Sequence, residues 1–66
     1  MDKHLEGVKL AEECYAKNGY SEASGILTTY ISLNKEVEED LCRGIQDVID
    51  IQWLIENGYV IANSGD

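Results

Sequence analysis

The sequence predicts an all-α fold: a small domain of two shorter helices packed on a long C-terminal helix, with a short extended tail. Three observations carry this. Apolar residues recur at helical spacing in three successive stretches. Proline is absent, so nothing in the chain forces a break inside those stretches. Asn18-Gly19 and Asn57-Gly58 punctuate the chain where the periodicity stops. With 66 residues, the chain forms a single domain over positions 1–66, without repeats, linkers or low-complexity tracts. A domain of this size buries only about 60% of its unfolded surface. Phe is absent, so the core is expected from Leu, Ile and Val with Trp53 and some of the tyrosines.

The first helix is expected from about Asp2 to Lys17. On a 100° wheel Leu5, Val8, Ala11 and Tyr15 share one face, with Asp2, Glu6, Lys9, Glu13 and Lys17 opposite. Lys17 suits the negative end of the helix dipole, and Gly19 can adopt the left-handed conformation that ends a helix. The second helix is expected to start at an N-capping Ser21, with Glu22 in its first turn and Ala23, Ile26, Leu27, Tyr30 and Ile31 at helical spacing. Gly25 and the β-prone run Thr28-Thr29-Tyr30-Ile31 leave a strand over Ile26–Leu33 as the competing reading.

The third helix is expected to be capped by Asn34 and to run to about Asn57, roughly 34 Å at 1.5 Å per residue. Glu36, Glu38, Glu39 and Asp40 crowd its positive end. Its apolar residues, Val37, Leu41, Cys42, Ile45, Val48, Ile49, Ile51, Trp53 and Ile55, spread over an arc of roughly 200°, twice what one packing partner needs. At its end, Gly58 reads as a helix stop followed by a short extended segment over Tyr59–Ala62. The alternative is a type I′ hairpin turn between Trp53–Glu56 and Tyr59–Ala62.

Charge is segregated. Residues 1–35 carry five acids and four lysines, a net of −1; residues 36–66 carry eight acids and Arg43 alone, a net of −7. A single-sign field of this kind steers association toward basic surfaces and disfavours DNA, RNA and anionic membranes. Glu36, Asp40, Asp47 and Asp50 are spaced by 4, 7 and 3 residues, so on one continuous helix they form a stripe, joined by Glu39. A solvated helix face has the same appearance. As a docking face, the row of carboxylates roughly imitates phosphates, which a Lys- and Arg-bearing nucleic-acid-binding protein could accept in place of its ligand. Arg43 interrupts that mimicry.

The wide apolar arc supports a second expectation, homodimerisation or docking to a larger protein. Val48, Ile51, Trp53, Leu54 and Tyr59 are the candidate contact residues; Leu54 falls within the acidic sector itself. Trp53 and Tyr59 are the candidate anchors, because aromatic side chains concentrate binding energy at interfaces.

Catalysis is not expected. His4 is the sole histidine, and with cysteines 28 residues apart it matches no zinc spacing. Asp47 and Asp50 alone supply too few oxygens for a hard cation. The Glu-x-x-His pair of di-iron bundles is absent. Gly19, Gly25 and Gly44 make no phosphate loop, and no motif activates a serine. No cofactor or metal is therefore expected. Cys14 and Cys42 could form at most one bridge and are expected as reduced, buried thiols. That usage, with no signal peptide and no apolar run near the ~18 residues of a membrane span, suggests a cytoplasmic location.

Two resemblances add to this reading. Leu54-Ile55-Glu56-Asn57-Gly58-Tyr59-Val60 resembles the recognition helix and first wing strand of winged-helix DNA-binding domains, which implies a helix entering the major groove. Here that helix carries Asp47 and Asp50 against Arg43, and the chain given ends before a second wing strand. In size and charge the sequence is similar to phage and plasmid counter-defence proteins, such as anti-CRISPR and anti-repressor proteins. That likeness implies a non-enzymatic inhibitor.

Overall fold

The computed structural model describes residues 2–59 and is all-α: α1 (Lys3–Asn18), α2 (Tyr20–Asn34) and α3 (Glu39–Glu56). Among the described residues there is no strand, and no helix is long and apolar enough to cross a membrane.

The N-terminus of α1 is capped by Asp2, whose side chain accepts from the Leu5 backbone N–H at 3.3 Å. At its other end a single residue, Gly19, separates α1 from α2. Gly19 donates its N–H to the Tyr15 carbonyl and accepts from the Ala23 N–H, each at 3.0 Å. It thereby closes one helix and opens the next. Its φ of 85° with ψ of 170° lies where side chains with a Cβ are strained. This conformation moves the start of α2 to Tyr20 and removes the capping role expected of Ser21. The corner is tied by a hydrogen bond between the Tyr15 and Ser24 hydroxyls at 2.7 Å. The strand alternative over Ile26–Leu33 is excluded, since the segment is helical throughout.

Asn34 ends α2 instead of capping α3. Its Nδ2 donates to the Tyr30 carbonyl at 2.9 Å, and its own carbonyl accepts from the Val37 and Glu38 N–H groups. Residues 35–38 form the turn, so α3 is 18 residues long, the longest of the three but shorter than expected. The Glu38 N–H still makes the i→i+4 bond of a continuous helix to Asn34, and the break falls at Glu38 itself, whose φ of −118° and ψ of 58° lie outside the helical region. At the far end Gly58 stops the helix. Its N–H reaches the Ile55 carbonyl at 3.1 Å and the Tyr59 N–H reaches Leu54 at 2.8 Å, with Gly58 at φ 82°. This is the paired bonding of a Schellman stop, and it excludes the hairpin between Trp53–Glu56 and Tyr59–Ala62. Beyond Tyr59 the expected extended tail, and with it the wing strand, lies outside the described residues.

The core consists of Ala11, Ala23, Leu27, Leu41, Cys42, Ile45 and Val48, with Leu27 and Ile45 as its largest fully buried side chains. Val8, Cys14, Tyr15, Tyr30, Ile31 and Ile49 pack around it, half-buried. A core this poor in large side chains requires the helices to approach closely, and two glycines permit it. Gly7 on α1 and Gly44 on α3 are both buried. A Cβ on Gly7 would overlap the Leu41 carbonyl oxygen; a Cβ on Gly44 would overlap the His4 carbonyl oxygen. Each helix therefore presses its bare Cα against the other's backbone, the arrangement in which small residues bring helices together.

That crossing rotates α1 relative to expectation. Its buried face centres on Gly7 and Ala11, leaving Leu5 48% exposed. Trp53, expected in the core, is 47% exposed, and the tyrosines contribute only as half-buried neighbours. Val48, expected on a partner-facing surface, is buried and belongs to the core of this chain.

Candidate protein-docking surface

The expected acidic stripe divides into two pieces once the helix boundaries are fixed. Asp40, Asp47 and Asp50 do share the solvent-facing side of α3, as their spacing requires. Glu36 does not belong to that helix: it sits in the α2–α3 turn. There it lines, with Val37, Glu38, Glu39, Asp40 and Leu41, an open depression whose single basic residue is Lys3 from the start of α1. The four carboxylates around the depression are held together by the turn at Asn34 and by the first turn of α3.

Two of the five expected acids are paired. The Arg43 guanidinium donates to Glu39 Oε2 at 3.0 Å, one helical turn away and exposed on both sides. His4 Nε2 donates to Asp47 Oδ2 at 2.7 Å, linking α1 to α3 at the edge of the glycine crossing. Asp50 accepts from Gln46 at 2.9 Å. Among the described residues Glu36, Glu38, Asp40 and Asp50 make no ion pair; Glu36, Asp40 and Asp50 are exposed and Glu38 is half-buried. Arg43, expected to spoil the row, is drawn toward Glu39 by its geometry and offsets one carboxylate at one place.

His4 is the residue that sequence reasoning undervalued. It had no role on the edge of an amphipathic face. In the fold it ties Asp47 to α1, which makes Asp47 partly a structural residue. The signal was present only in three dimensions, because the pair is 43 residues apart. Glu38 likewise has a local effect: burial, followed by the nearby Glu38 charge, pushes the Cys42 thiol above its ordinary value of 9.0. Cys14 and Cys42 are both free, the first half-buried and the second buried.

The apolar candidates also separate. Ile51 is 51% exposed and Leu54 half-buried. Trp53 and Tyr59 stack on each other, ring centroids 5.6 Å apart and planes 12° from parallel, with Tyr59 71% exposed. A second exposed set joins Ile26 and Leu33, seven residues apart on one side of α2 and given no partner role by sequence reading, to Val37, expected on the α3 arc but placed in the turn. Leu33 and Val37 are 77% and 83% exposed, more than any residue of the expected arc that remains on α3.

Among the described residues no group of three or more His, Cys, Asp or Glu side chains is placed to hold a metal ion. Comparison with protein-family models, curated proteins and solved structures finds no match to the chain.

Proposed function

We propose that this chain is a non-enzymatic, acidic protein-binding regulator that docks on the basic surface of a nucleic-acid-handling protein, as an inhibitor of the counter-defence or anti-repressor kind. One observation carries the reading. The turn and helix from Glu36 to Asp50 hold six acids and one base, and four of those acids, Glu36, Glu38, Asp40 and Asp50, lack an ion-pair partner among the described residues. Carboxylates without ion-pair partners on a turn and the helix that follows it keep their field for an external cation-bearing surface. No catalytic group, cofactor or metal is required by this role, and nucleic acid and anionic membrane are repelled by the same field. A cytoplasmic location fits two free thiols.

The test is capture from nuclease-treated lysate with elution by rising salt, run beside a variant carrying Asp40→Lys and Asp50→Lys. The variant leaves Asp47 and its contact to His4 untouched. The expected result is a basic nucleic-acid-binding protein released at moderate salt, displaced by added DNA or RNA, and lost from the variant. Capture that survives both charge reversal and high salt removes the electrostatic reading.

A second reading, self-association into a homodimer, draws on Ile26, Leu33 and Val37, which expose apolar surface on α2 and the turn. Light scattering on wild type and Leu33→Glu tests it: a dimer that becomes a monomer supports assembly, and a wild-type monomer at high concentration sinks it.

A further inference from the structure

We propose that the stacked Trp53–Tyr59 pair is the seat for an arginine guanidinium of the basic partner. This rests on the docking role above and names the chemistry of one contact within it.

Three observations place the seat. The two rings are stacked on each other, yet Trp53 is 47% and Tyr59 71% exposed, so aromatic surface is presented outward instead of being spent on the core. The pair is held in advance of any ligand. Asn57 Nδ2 donates to the Trp53 carbonyl at 2.7 Å, the Tyr59 N–H reaches Leu54, and Gly58 at φ 82° turns the chain so that Tyr59 folds back. A platform fixed by backbone hydrogen bonds loses little freedom when it is covered. Finally, the rim is anionic. Asp50 precedes Trp53 by three residues and Glu56 follows it by three, so both carboxylates border the indole on the helix surface. Arg43, the sole base between residues 36 and 66, is engaged with Glu39.

Aromatic faces attract cations, and the planar, weakly hydrated guanidinium lies flat on a ring while donating in plane to carboxylates. Ammonium groups satisfy the field but not the stacking. The seat therefore discriminates arginine from lysine at equal charge, which a purely electrostatic surface does not.

The experiment titrates the protein with an oligoarginine and with an oligolysine of equal length, at matched ionic strength. Affinities for both peptides, in wild type and variants alike, are measured by titration calorimetry, and contact with the seat is read in wild type from the NMR shift of the indole N–H of Trp53, the sole tryptophan. The expected result is oligoarginine binding roughly three- to thirtyfold tighter, the factor one such contact supplies, with the indole signal moving only for oligoarginine. In Trp53→Leu the two peptides should bind alike. Tyr59→Ala, which alters a residue beyond the helix, should narrow the gap with helix content unchanged by circular dichroism. Equal binding to wild type, or a preference for arginine that survives both variants, overturns the seat while leaving the acidic docking face standing. No salt-sensitive binding of either peptide overturns both.

Discussion

Gly7, Gly25 and Gly44 each interrupt a helix, and each would be read from sequence as a local weakness of about 1 kcal/mol relative to alanine. Their surroundings differ. Nothing lies within 4 Å of where a Cβ on Gly25 would be, whereas Gly7 and Gly44 are pressed against the Leu41 and His4 carbonyls. Gly25→Ala should therefore stabilise the domain by about 0.5–1 kcal/mol, because only the propensity gain remains. Gly44→Ala should destabilise it by about 1–3 kcal/mol, because the clash is with backbone and forces the helices apart. Urea denaturation of both variants checks the pair; a stabilised Gly44→Ala would contradict the close crossing. The role of these glycines was illegible in the sequence, since a helical glycine looks the same whether it faces water or another backbone. What was legible was the type of residue at each core position: Ala11, Leu27, Leu41 and Ile45 sit on the faces their spacing assigned. The same scale governs Cys42. Its thiol is raised above 9.0 by burial and by Glu38, so the folded protein disfavours the thiolate. A raised acid loses no stability below the unfolded value and loses it progressively as pH climbs beyond. Stability should fall above about pH 9 more steeply in wild type than in Cys42→Ala, measured by urea midpoints across that range. Parallel profiles would contradict the burial argument.

At the scale of the element, helix stops were easier to read than helix starts. Asn18-Gly19 and Asn57-Gly58 announced two ends, and glycine occupies positive φ at both. Starts misled because the residues that favour caps are also the residues that favour ends. Asn34 closes α2 with its amide on Tyr30, and Ser21 was displaced by Gly19, which serves two helices at once. Helix-capping preference is satisfied by any geometry that uses the same hydrogen-bonding atoms, so only the tertiary corner decides. The corner itself makes a prediction. Gly19 at φ 85° and ψ 170° has open space around its Cα but a backbone conformation that side chains resist. Gly19→Ala should cost about 1–3 kcal/mol with no steric clash to relieve, whereas D-alanine introduced by chemical synthesis should be tolerated. Thermal melts of the two distinguish conformational strain from loss of space, because lost space would penalise both.

Over the whole molecule, charge and stability pull in opposite directions. The fold holds a net charge of −8 on a core with two fully buried large side chains, and most of that charge is in one helix and the turn before it. Like charges on neighbouring turns repel, and a small core has little stability to set against repulsion. The halves of the sequence made this asymmetry legible from the start. The pairing inside it was not, because His4 and Asp47 meet only when α1 and α3 cross at their glycines. It follows that neutralising acids without ion-pair partners should favour the folded monomer. Glu36→Gln with Asp50→Asn, sites outside the first turn of α3 where an acid would complement the helix dipole, is expected to raise stability by roughly a few tenths of a kcal/mol per site at low ionic strength, with the gain shrinking as salt screens the field over about 10 Å. Asp47→Asn should behave oppositely, because its carboxylate receives the His4 N–H across the helix interface. If the docking role holds, the variant that is stabilised should also be the one that loses affinity for the basic partner, and by a larger free energy than it gains in folding, since contacts desolvated at an interface are screened less than repulsions on an open surface. Urea midpoints and salt-stepped elution measured on the same three proteins decide this. Stabilisation together with undiminished binding would mean that these acids serve neither the fold nor the partner.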